Sequence, residues 1–125
     1  MSPVHFVLKR HMHGFEEYGD LYEAIKTGKK TVEYRDASEY WAKRLLSPWA
    51  LENYDATLKF PFGPNVTITY FGDGLKHTEG TFRVGYTKGP TLHATIEKIV
   101  WNQDNSQFEV HITNVIEEQE EAEEP

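Results

Sequence analysis

The chain has 125 residues, with 13 Lys and Arg against 20 Asp and Glu, a formal charge of -7, and no cysteine. This length supports one hydrophobic core, and the missing cysteines exclude a disulfide, a thiolate zinc site and a cysteine nucleophile. No stretch is apolar enough to span a bilayer and Met1-Ser2-Pro3 has no signal-peptide character, so an intracellular protein is expected, cytoplasmic or, in a eukaryote, nuclear.

The acidity is local. Glu117, Glu118, Glu120, Glu121, Glu123 and Glu124 lie in the last nine residues, and setting them aside leaves 14 acids against 13 bases. We therefore expect a near-neutral domain over residues 1–116 and a disordered acidic tail over 117–125.

In chain order, His5 to Arg10 alternates as a strand whose end delivers Lys9 and Arg10. Phe15, Tyr18, Leu21, Tyr22 and Ile25 then form a helical stripe, with Lys26 in its last turn and Gly28 as its left-handed cap. Gly28-Lys29-Lys30-Thr31-Val32-Glu33-Tyr34-Arg35 follows as a strand with Thr31, Glu33 and Arg35 on one face and Val32 and Tyr34 on the other, buried one. Ser38 and Ser47-Pro48 open two short helices across 38–54. From Ala56 the pattern alternates again: Leu58, Phe60, Phe62; then Val66, Ile68, Tyr70; then strands at 81–86, 92–100 and 108–115, the last two joined by a hairpin at 102–106. A helical first half followed by many short strands predicts an α+β fold, a curled sheet or small barrel flanked by helices.

An acid and a base two residues apart on a strand form either an ordinary surface ion pair worth under about 1 kcal/mol or one wall of a cleft. Read as Gly28-x-Lys30-x-x-Glu33-x-Arg35, the stretch resembles the G-x-K-x-x-E-x-R signature of the ASCH family. The strand at Phe6-Val7-Leu8-Lys9-Arg10, the helix ending at Gly28, the Tyr40-Trp41-Ala42-Lys43-Arg44-Leu45 segment and the strand at 91–100 resemble that family's elements too. The similarity spans residues 5 to 115, and the aromatic, glycine-rich stretch over 56–90 departs from it.

The resemblance implies a PUA-like β-barrel with a charged cleft for RNA, a nucleotide or a modified nucleoside, walled by Lys30, Glu33 and Arg35. Arg35 offers a planar fork, Lys30 a mobile point charge and Glu33 an acceptor for an exocyclic amine. Strict alternation admits Lys30 to that wall only if the strand starts after it. Lys9 and Thr31 are further candidates, and Tyr40 or Trp41 is either a core aromatic or a base-stacking platform at the cleft mouth.

A hydrolase is the alternative reading, since some ASCH proteins are N4-acetylcytidine amidohydrolases and others ribonucleases. Lys30 matches the amidohydrolase lysine, but Glu33 stands where those enzymes carry a threonine nucleophile, leaving Thr31 as a substitute or Glu33 as a general base. A third reading is a protein-interaction adaptor that uses the aromatic stretch. No phosphate-binding loop or dinucleotide fingerprint is present, so no cofactor is expected. His11 and His13 alone support no metal site.

Overall fold

The computed structural model describes residues 3–8, 21–85 and 89–118. Its elements are β1 (Val4–Leu8), α1 (Leu21–Lys26), β2 (Val32–Asp36), α2 (Glu39–Leu45), α3 (Pro48–Lys59), β3 (Thr67–Tyr70), a 3-10 turn at Gly72–Gly74, β4 (Glu79–Val84), β5 (Thr91–Asn102) and β6 (Gln107–Glu118). The expected helical turns before Leu21, Lys9 at the end of the first strand, the His11 and His13 pair, and residues 119–125 lie outside the described residues.

One sheet of six strands runs β1-β4-β5-β6-β2, with β3 pairing β5 beside this path. β1 and β4 are parallel and every other pair is antiparallel. β5 is the spine, because β4 binds its first half (Leu92 to Thr95) and β3 its second (Ile99 to Asn102) along the same edge. The β5–β6 ladder shifts register twice, once between His93 and Thr95 and once between Ile96 and Lys98, with Asn114 at φ 52 in the first shift. Extra residues of this kind bend strands and increase twist. The sheet curls into a half-barrel, with three α-helices among the described residues.

Its concave face is the core. Phe6, Phe82, Leu92, Ile99, Val110 and Phe108 are fully buried there, and α1, α2 and α3 add Ile25, Leu45 and Tyr54. Tyr54 meets the Trp101 and Phe108 rings at 4.7 and 5.2 Å.

Four local expectations change. Leu58, Phe60 and Phe62 do not form a strand: the helix begun at Ser47-Pro48 continues to Lys59, and Phe60 and Phe62 follow in a loop through Pro61 and Pro64. α3 therefore exceeds the short helix expected, because nothing before Pro61 breaks it. β6 runs on to Glu118, so Glu117 joins the sheet, where it accepts the Tyr22 hydroxyl at 2.7 Å and pairs with Lys26 at 3.2 Å. Finally, the apolar side of β2 is not the buried one: Tyr34 is 43 % exposed while Glu33 is buried.

Burial raises the pKa of three tyrosines. Tyr70 is pushed up to about 12, Tyr54 is raised, and Tyr22 is raised by burial and by Glu117. A raised folded-state value means the native state holds the proton more tightly, so this stabilisation is complete below the unfolded value near about 10 and is lost as pH rises toward 12. Urea midpoints measured against pH should be flat to about pH 9.5 and fall above about pH 10, with a smaller fall in Tyr70→Phe.

Candidate functional site

The α1 stop positions the motif. Gly28 takes φ 83 as its N–H donates to the Ile25 carbonyl, and the Lys30 N–H returns to the Ala24 carbonyl. That turn tucks Lys30 under the helix end before β2 begins at Val32. Alternation therefore does not govern Lys30, and its side chain reaches the same side as Glu33.

Within β2, the Ile112 N–H donates to the Thr31 carbonyl and the Ala37 N–H to the Ser106 carbonyl, so backbone groups at odd-numbered positions face β6. Those of Val32 and Tyr34 face away, along the free edge. The motif's own side chains occupy them. Lys30 Nζ donates to the Val32 carbonyl, Glu33 Oε1 accepts the Tyr34 N–H at 3.0 Å, and Arg35 donates to the Tyr34 carbonyl at 2.7 Å.

Arg35 also crosses a gap. Its second terminal nitrogen donates to the Val7 carbonyl of β1 at 3.3 Å, and its guanidinium lies 5.1 Å from the Phe6 ring and 5.3 Å from Trp41. β1 and β2 are the two ends of the sheet path, so Arg35 spans the open seam of the half-barrel. Phe6 and Trp41 stack at 5.5 Å with planes 3° apart, and cation–π attraction holds the guanidinium against them.

The three charges converge on one oxygen. Glu33 Oε1 lies 3.6 Å from Lys30 Nζ and 3.5 Å from Arg35. Lys30 and Glu33 are 4 % and 5 % exposed, and the Arg35 side chain 17 %. With one carboxylate between two cations, the group carries a net charge of +1 in a setting of low effective dielectric.

Lys30 is therefore not a mobile point charge but a buried, bonded one. Thr31 lies before the strand and is exposed, whereas Lys30 Nζ turns to the Val32 carbonyl and Glu33. Trp41 is half-buried on the core beside Arg35; Tyr40 is exposed, with the Arg44 guanidinium 3.4 Å from its ring centre. Phe6 and Val7 belong to the site as well. Nothing in the sequence marked them, because their part follows from the meeting of the two sheet ends.

No group of three or more His, Asp or Glu side chains among the described residues is arranged to hold a metal ion. None of their helices is long and apolar enough to cross a membrane.

The class defined by fold and site is a small α+β half-barrel with a buried cationic cluster at its seam. No known family profile matches the chain, and no curated protein or solved structure matches it significantly.

Removing one member of a buried ion cluster strands the others. Lys30→Met should cost about 3–5 kcal/mol in urea unfolding, while Ala at the adjacent, exposed Lys29 should change stability by less than about 0.5 kcal/mol.

Proposed function

We propose that the chain is an ASCH-type domain of PUA-like fold that binds RNA, a nucleotide or a modified nucleoside at the β1–β2 seam. One observation carries this reading: Lys30, Glu33 and Arg35 form a buried cluster, two cations on one carboxylate, whose guanidinium rests on Phe6 and Trp41. Hydrogen bonds to Tyr34 and Val7 engage two of the five guanidinium donors, leaving others for a phosphate or a base edge. Glu33 supplies acceptor capacity for an exocyclic amine, and exposed Tyr40 a ring at the margin.

The hydrolase reading rests on the 3.6 Å contact between Lys30 and Glu33. In a hydrolase, Glu33 itself would be the group that activates water.

Fluorescence anisotropy with a short single-stranded RNA, repeated across salt concentrations, tests binding. Affinity should fall steeply with salt, as phosphate contacts require. Arg35→Ala should weaken it about ten- to a hundredfold, from about 1.5–3 kcal/mol of charge-assisted hydrogen bonding. A folded Arg35→Ala that binds as wild type does would sink the proposal. Glu33→Gln separates the readings: a binding module shifts its base preference modestly, whereas a hydrolase acting on N4-acetylcytidine loses about 10²- to 10⁴-fold in rate with binding retained.

A further inference from the structure

Among the described residues, the sheet has three strand edges without a neighbouring strand, and they are not protected alike. β1 and β2 face one another across the seam, where Lys30, Glu33 and Arg35 occupy backbone groups of both. Among the described residues, β3 has no such cover.

Its register against β5 decides which way its backbone points. The Gln103 N–H donates to the Val66 carbonyl, and Ile68 and Tyr70 lie opposite Trp101 and Ile99. Even-numbered residues thus bond to β5, and the N–H and C=O of Thr67 and Thr69 face outward. Among the described residues, no partner meets these four groups.

Exposed edges are normally guarded by a charge, a proline or a bulge. Val66-Thr67-Ile68-Thr69-Tyr70-Phe71 contains none and consists of strand-forming residues. Phe62 before β3 and Phe71 directly after it are 69 % and 66 % exposed. The loop before it is pinned, since the Phe62 N–H donates to Gln103 at 2.8 Å and the Asn65 N–H to Asp104 at 2.6 Å.

We propose that β3 pairs antiparallel with β3 of a second copy of this chain, joining the two sheets across a two-fold axis. Centred on Ile68, such pairing sets Thr67 opposite the other copy's Thr69 and the reverse, so all four outward groups of each strand find partners. A two-fold contact requires a self-complementary surface of this kind. Charge favours the same occupant. At -7 per chain, two copies repel across most of their surfaces, but an uncharged strip brings them together without opposing like charges. This inference is independent of the ligand at the seam.

Sedimentation velocity of the full chain between about 5 and about 500 µM tests it by mass action. The mass should rise from 14.5 kDa toward twice that value. Thr69→Pro removes an outward N–H while sparing the bonds to β5, and should weaken association at least about tenfold; Thr69→Val, which keeps the N–H, should associate like wild type. Should Thr69→Pro fail to fold by circular dichroism, Thr67→Lys carries the same expectation through charge. A wild-type protein that stays monomeric at the highest concentration overturns the proposal. So does a folded Thr69→Pro or Thr67→Lys variant that associates as strongly as wild type.

Discussion

A strand at the end of a sheet carries one row of amides and carbonyls that no neighbour satisfies, and when that row lies against a core the penalty is a buried, unpaired polar group. β2 is such a strand, and Lys30, Glu33 and Arg35 answer it. Each takes a backbone group of the free edge, and Arg35 reaches on to the Val7 carbonyl of β1. The curl set by the β5–β6 bulges brings the two sheet ends within reach of that one side chain. The Phe6–Trp41 stack then places aromatic rings beside the guanidinium.

Satisfying an edge with charged groups has an electrostatic consequence that neutral groups would not have. Three charges withdrawn from water repay their desolvation only through their contacts with one another and with the backbone. Two of them are cations, so the cluster keeps a charge of +1 that its own members do not neutralise. The binding role proposed above would thus reside in the same atoms as the structural one. Among the described residues, the hydrogen bond and both ion pairs of Glu33 run through Oε1.

The edges also differ in a way that bears on association. The seam is closed by long side chains, whereas β3 presents bare backbone between two exposed phenylalanines. The stretch over 56–90 thus holds the end of α3, the edge strand β3 and the interior strand β4. Its described aromatic residues are split between core (Tyr70, Phe82) and surface (Phe60, Phe62, Phe71), a division that alternation alone does not reveal.

Much of the architecture was legible because its signals are local. Gly28 as a helix stop, Ser38 and Pro48 as helix starts, and the hairpin at 102–106 each depend on backbone preferences of a few adjacent residues. Period-two spacing also placed Glu33 and Arg35 on one face. What it could not determine was which face is inside: a Val-Tyr side against a Glu-Arg side reads as core against solvent, and the fold inverts it because β2 closes a seam and its charged side meets backbone that needs partners. Lys30 joins them through the turn after α1, and Phe6 and Val7 through the meeting of two strands distant in sequence. Composition and short-range spacing thus determined the elements and the motif. The burial of that motif, its net charge in context and the unguarded edge of β3 were decided by tertiary structure, because each depends on which strands become neighbours.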